Sequence, residues 1–134
     1  MNAQVVQYRG DVFDSNCPSR TVLDHVTSKW AMLVLGALHA APLRFSALRR
    51  RVGGVSEKML AQTLRTLEGD GFVAREVAPT TPPQVTYSLT GFGRELTEHM
   101  VGLLQFLNDR ASDVTASSAE GSAARRSGAR PRCP

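Results

Sequence analysis

Apolar residues recur at helical spacing through the first third of the chain. Val22, Leu23 and Val26 form a short stripe after Pro18, and proline suits the first turn of a helix. Residues 30–40 are apolar on nearly every side, which predicts a second helix that is buried at the centre of the fold. The pattern therefore begins with one amphipathic helix and one core helix.

Two shorter helices separated by a glycine turn follow, after a short strand predicted over residues 43–44. The first of these helices covers 46–52, and its inner side is marked by Phe45, Leu48 and Val52. Gly53 and Gly54 interrupt it, because glycine reaches backbone conformations that other residues avoid. Ser56 is a good N-cap for the next helix, whose inner face carries Leu60, Leu64 and Leu67. Gly71 is placed to end that helix in a left-handed conformation.

Two strands and a final helix complete the pattern. The strands are predicted over 73–77 and 84–89, and the second alternates apolar and polar residues. Prolines between them indicate a stiff, irregular tip. Thr90 can cap the last helix, which has a long apolar stripe of Phe92, Leu96, Met100, Leu103, Leu104 and Leu107. The fold class predicted is α+β, mainly α: a winged helix-turn-helix with extra N- and C-terminal helices.

The composition divides the 134 residues into three parts. Residues 1–16 are predicted to be a flexible arm, and 17–111 a single winged helix-turn-helix domain. Residues 112–134 are mostly Ala, Ser, Gly, Arg and Pro, which predicts a disordered tail because little apolar surface could be buried.

Charge and residue usage favour a cytoplasmic protein with a polyanionic partner. The net charge is +4 and the pI is about 9.7. The longest apolar run, 30–38, is shorter than the roughly 20 residues that cross a bilayer, and no secretory signal is evident. The two cysteines do not suggest a disulfide framework, and the histidines lack metal-ligand spacing. No catalytic motif or phosphate loop occurs. We therefore predict no enzyme, no metal and no cofactor.

The basic and amide side chains of the helix-turn-helix suggest that it reads DNA. Gln can bond adenine, Arg can bond guanine, and Lys usually contacts phosphate. A helical hairpin within an unrelated bundle is the alternative, and Arg75 could instead pair with Glu76 or Glu68. The predicted DNA-binding residues are Arg44, Ser46, Arg49, Ser56, Lys58, Gln62, Arg65, Thr66, Arg75, Thr80, Thr81 and Gln84.

Cys17 directly precedes the first helix, where backbone N–H groups and the helix dipole favour a thiolate. Arg20 and Lys29 could add to this effect, and an exposed thiolate is readily oxidised. This makes Cys17 a candidate redox-sensing residue. The alternative is a buried cysteine that acts as a small apolar side chain.

Several motifs together resemble the HxlR family of bacterial transcriptional regulators over about residues 17–107. They are Cys17-Pro18, Lys29-Trp30, Leu43-Arg44-Phe45, Ser56-x-Lys58-Met59-Leu60, Leu64-Arg65-x-Leu67-Glu68, Gly71, Pro83-x-Val85-x-Tyr87-Ser88-Leu89-Thr90 and Gly93. The resemblance implies a homodimeric winged-helix protein that pairs through its first and last helices. In some members of this family the cysteine matching Cys17 senses oxidants or electrophiles. Gly36, where a larger residue is expected, and the arginine-rich tail depart from the family pattern.

The function predicted is a sequence-specific DNA-binding transcriptional regulator, acting as a homodimeric repressor on a double-stranded DNA operator and responding to oxidants through Cys17. Control by a small-molecule ligand in an apolar pocket near Trp30 is the main alternative. A thiol redox enzyme is a further alternative, against which the lack of a second nearby cysteine argues. A winged helix that binds only proteins is the last, and the basic recognition face argues against it.

Overall fold

The fold begins with two helices and contains a small sheet, with one strand between the second and third helix and two between the fourth and fifth. The computed structural model describes residues 10–122. In chain order its elements are α1 (Pro18–Val26), α2 (Lys29–Ala40), β1 (Leu43–Arg44), α3 (Phe45–Arg51), α4 (Glu57–Gly69), β2 (Val73–Ala78), β3 (Gln84–Leu89), α5 (Gly91–Asp109) and α6 (Ala111–Ser122). This order confirms the predicted winged helix-turn-helix, which is mainly α with one antiparallel sheet.

Helix α2 lies at the centre of the core, as its apolar character predicts. Val34, Leu35 and Leu38 are each at most 1% exposed, and the helix packs against α3, α4, α5 and β3. Leucines of α3 and α4 close the core from the other side: Leu48, Leu60, Leu64 and Leu67. Truncating any of these to alanine typically costs about 2–5 kcal/mol, so α3 and α4 are held firmly on α2.

The sheet has three antiparallel strands in the order β1-β3-β2. Leu43 of β1 lies opposite Tyr87, and Val73 of β2 lies opposite Leu89. These pairs share one face of β3, and that face packs against the core. The outer ends of β2 and β3 extend beyond the core and form the wing.

The end of α4 has the geometry that the glycine at position 71 predicts. Gly71 has φ of +87°, its N–H donates to Glu68 O, and the Phe72 N–H donates to Leu67 O. This pair of hydrogen bonds is a Schellman motif, and it satisfies carbonyls that the helix leaves open. Phe72 is buried directly after the turn, so the start of β2 is fixed relative to α4.

Two glycines allow α5 to approach its neighbours closely. A Cβ on Gly93 would lie 1.9 Å from the Phe72 carbonyl oxygen, so only glycine fits at this point. A Cβ on Gly36 would lie 2.7 Å from Leu104 Cδ1. A larger side chain at position 36 of α2 would therefore require the Leu104 side chain to move.

The ends of the chain differ in part from the prediction. Residues 10–16 form turns, in which the Asp14 backbone oxygen accepts from the Cys17 N–H. The prediction of disorder from residue 112 is wrong for its first part, since α6 covers Ala111–Ser122. Alanine favours helix without any burial, and the Arg110 Nε donates to Asp113 at 2.7 Å where α6 begins. The remaining arm and tail, 1–9 and 123–134, lie outside the described residues.

Candidate nucleic-acid interface

Helix α4 is anchored at its start and along its inner face. The Ser56 Oγ accepts a hydrogen bond from the Met59 N–H at 3.0 Å, as expected for an N-cap. Leu60, Leu64 and Leu67 are at most 2% exposed. The helix therefore presents its opposite side outward in a fixed orientation.

The outward side of α4 carries Lys58, Gln62 and Arg65, all of them exposed. Their spacing places them along one face of the helix, over about 10 Å of its length. Among the described residues none forms an ion pair with Lys58 or Arg65. A row of unpaired cationic and amide side chains on a rigid helix has the length and chemistry for base edges and phosphates.

Arg49 is already held by the protein itself. Its Nη1 lies 3.0 Å from the Glu57 Oε2, and its Nε donates to the Val55 backbone oxygen at 3.4 Å. Both partners belong to the α3–α4 connection or to the first turn of α4. The predicted DNA contact therefore also joins the two helices of the helix-turn-helix, a role that the sequence pattern does not reveal.

A shallow depression beside this pair is lined by residues from α3 and by Glu57. It includes Ser46 and Arg49 from the predicted set, together with Arg50. Arg44, the residue before α3, is exposed. Arg50 and Arg51 are also exposed and form no ion pair within 10–122. The predicted set of DNA-binding residues does not include Arg50 and Arg51, although they directly follow Arg49 in the sequence.

Three of the four predicted contacts of the wing, Thr80, Thr81 and Gln84, lie at its outer end. Thr81 and Gln84 are exposed, whereas the Thr80 hydroxyl donates to the Pro82 oxygen at 2.7 Å and so stabilises the tip. Arg75 is exposed in β2, opposite Tyr87. The alternative pairing of Arg75 with Glu76 or Glu68 is not seen in the described structure.

Cys17 is the N-cap residue of α1, as its position before Pro18 predicts, but it is only 7% exposed. The Arg20 guanidinium points to the backbone oxygens of Val12 and Phe13, at 3.4 Å each. The Lys29 ammonium lies 4.3 Å above the Trp30 ring centre. Arg20 and Lys29, the two cations expected to assist the thiol, thus have other partners. Within one protomer, Cys17 fits the alternative of a buried cysteine that acts as a small apolar side chain.

Trp30 packs against the core and beside the α3–α4 turn. Its ring lies 3.7 Å from where a Cβ of Gly54 would stand. Two depressions border α4, one beside α3 and one beside α1, and Trp30 lines neither of them. No helix within residues 10–122 is both long and apolar enough to cross a membrane.

Comparisons with known proteins place this geometry in a family. The model of the HxlR-like helix-turn-helix family matches residues 25–114. The chain is 50% identical over 107 residues to YtfH of Escherichia coli K12, an uncharacterised HTH-type transcriptional regulator, which covers 80% of this chain and 85% of YtfH.

Two solved structures show the same fold. The putative transcriptional regulator YtfH from Salmonella typhimurium has 47% identity and a TM-score of 0.75, over 82% of this chain and 98% of that chain. The redox regulator HypR in its oxidised form has 35% identity and a TM-score of 0.64, over 69% of this chain and 96% of that chain. These relatives are named as regulators, and the fold and motifs of this chain agree with theirs. The chain belongs to the HxlR-like helix-turn-helix family of DNA-binding transcriptional regulators.

Proposed function

We propose that the protein binds a specific operator as a homodimer and represses the operon beside it, with α4 of each subunit in the major groove. The observation that carries the proposal is the exposed row of Lys58, Gln62 and Arg65 on a helix whose other side is fixed in the core. A helix-turn-helix dimer reads half-sites one DNA turn apart, about 34–36 Å.

Exposed apolar side chains on α5 support the homodimer. Leu103, Phe106 and Leu107 are 49%, 52% and 43% exposed, and Val114 of α6 is 43% exposed. Monomeric proteins rarely leave a contiguous apolar stripe of this kind open to water. A second copy, whose α5 has the same stripe, would cover it and set the distance between the two recognition helices.

The DNA-binding part of the proposal is tested by fluorescence anisotropy with duplex DNA from upstream of the protein's own gene. We expect specific binding that weakens steeply with salt, because Lys and Arg displace counterions from phosphate. A duplex of scrambled sequence serves as the control. Equal affinity for both duplexes would contradict an operator-specific regulator.

Control through Cys17 is the second part of the proposal. Oxidation by diamide would join two Cys17 thiols as a disulfide, with two electrons and two protons passing to diamide. Because the thiol is buried at the start of α1, this reaction requires α1 to shift. The similarity to HypR, which is named a redox regulator, supports this form of control.

Substitution of Cys17 tests the redox part alone. Cys17→Ser should bind the upstream duplex as well as the original protein does, while losing the change in affinity that diamide causes. The variant Cys133→Ser serves as the control for the second cysteine. Its DNA affinity should change with diamide as that of the original protein does. An unchanged diamide response in Cys17→Ser would exclude this cysteine as the sensor.

A further inference from the structure

A groove runs between α1, the start of α2 and the recognition helix α4. Its apolar floor is formed by Ala31, Met59 and Leu67. Its volume is about 220 Å³. A cavity of about 150 Å³ holds benzene, so this groove has room for a single ring with a short side chain.

Thr63 supplies an unused polar group in the groove wall. The residue is 8% exposed, and its hydroxyl has no hydrogen-bond partner among the described residues. Thr97, the other buried threonine, differs because its hydroxyl donates to the Gly93 oxygen at 2.7 Å. The Thr63 hydroxyl is therefore not engaged by the protein and is available to a polar atom of a ligand in the groove.

The charge of the groove favours a cation. Asp24 is exposed at its rim and forms no ion pair within residues 10–122. The His25 Nδ1 lies 2.7 Å from the Asp70 Oδ2, which holds the imidazole ring on α4. Within the part of the chain that the structure describes, no lysine or arginine lines the groove. DNA phosphate would therefore be repelled here, whereas an ammonium group would be attracted to Asp24.

We propose that this groove binds a small organic amine with a second polar group, and that the bound amine weakens DNA binding. The ammonium contacts Asp24, the second polar group bonds the Thr63 hydroxyl, and the apolar body covers the floor. The effect on DNA rests on the proposed function: Gln62 and Thr66 line the groove and also belong to the predicted DNA-binding set.

Calorimetry on the protein alone tests the site with three matched probes. Tyramine has an amine and a hydroxyl, phenethylamine lacks the hydroxyl, and tyrosol replaces the amine with a neutral hydroxyl. We expect tyramine to bind best, phenethylamine about fivefold weaker, and tyrosol at least roughly tenfold weaker. Equal binding of tyramine and tyrosol, or no binding of tyramine, would overturn the proposal.

Three variants assign the contacts. Asp24→Asn should weaken tyramine binding roughly tenfold, whereas Glu95→Gln, an equal charge change on α5, should leave it unchanged. Thr63→Val should weaken tyramine about fivefold without lowering thermal stability, because it removes a hydroxyl that has no partner in the free protein. Equal tyramine affinities of Asp24→Asn and Glu95→Gln would show that Asp24 does not bind the ammonium group.

Anisotropy with the upstream duplex tests the coupling to DNA. Tyramine at a concentration near its Kd for the original protein should lower the DNA affinity of that protein and should lower the DNA affinity of Asp24→Asn much less. Tyramine binding with no change in DNA affinity would overturn the coupling. A protein that binds no duplex specifically would overturn the proposed function, while calorimetry would still decide whether the groove holds an amine.

Discussion

The arginines of α3 and α4 differ in whether the protein already holds them. Arg49 is bonded to Glu57 and to the Val55 oxygen, so DNA could recruit it only by sharing or breaking those bonds. Arg65 lies on the exposed face of α4 without an ion pair among the described residues. Arg65 is therefore the better candidate for reading a base, since no internal contact opposes its reach.

Replacing Arg65 tests this distinction between the arginines. Arg65→Ala should weaken binding to the upstream duplex by about 1–3 kcal/mol and affect the scrambled duplex less, because a base contact is lost. Arg94→Ala, an exposed arginine at the start of α5, is the matched control and should change neither affinity. An equal loss on both duplexes would show that Arg65 contacts phosphate.

Local patterns predicted the cap, the buried face and the terminating turn of α4, but not the contacts between separate segments. Ser56, the leucine face of α4 and Gly71 each depend on neighbours within a few positions, so spacing alone indicates their roles. The Arg49–Glu57 pair and the Arg20 contacts depend on how separate segments meet, and spacing carries little of that information. The burial of Cys17 also depends on how separate segments meet, so the sequence alone does not decide between an exposed and a buried thiol.

At the scale of elements, the start of α5 is held against the turn that ends α4, where the Thr90 hydroxyl donates to the Gly71 oxygen at 2.6 Å. The Phe72 oxygen accepts from the Thr90 N–H at 3.0 Å, and Gly93 packs directly onto it. Phe92 stacks on Phe72 with ring centres 4.9 Å apart. These contacts fix the start of α5 relative to the end of α4.

A pair of glycine substitutions measures this contact. Gly93→Ala should lower the free energy of unfolding by about 1–3 kcal/mol, because the added methyl group overlaps the Phe72 backbone. Gly102→Ala, on the same helix with no atom near its Cβ, should instead raise it by about 0.5–1 kcal/mol. Urea denaturation measures the free energy of unfolding of both variants. Equal changes in the two would contradict the close approach of Gly93 to the Phe72 backbone.

The elements themselves were predictable where apolar periodicity is strong. Strands β1, β2 and β3, the central helix and both helices of the helix-turn-helix appear within one or two residues of the expected bounds. Helix α6 was not predicted because it has no apolar stripe and because most of its residues, such as serine, threonine and glycine, are weak helix formers. The groove beside α4 could not be foreseen, since three separate segments contribute to it.

For the whole molecule, the apolar stripe on α5 is the surface on which the proposed dimer depends. Leu103→Glu should reduce the sedimentation mass from twice 14.5 kDa to a single chain, because a carboxylate would be buried between subunits. Val77→Glu is the control, since Val77 is equally exposed, at 50%, but lies on the wing. Dissociation of both variants, or of neither, would place the interface elsewhere.

Selection of DNA from a random duplex library tests the central claim most directly. If two copies of α4 read the major groove together, the enriched sequences should be inverted repeats with half-site centres about 10–10.5 base pairs apart, or a multiple of that spacing. Enrichment should depend on Arg65. Failure to enrich any sequence, or enrichment of a single unrepeated site, would contradict a homodimer that reads its operator through α4.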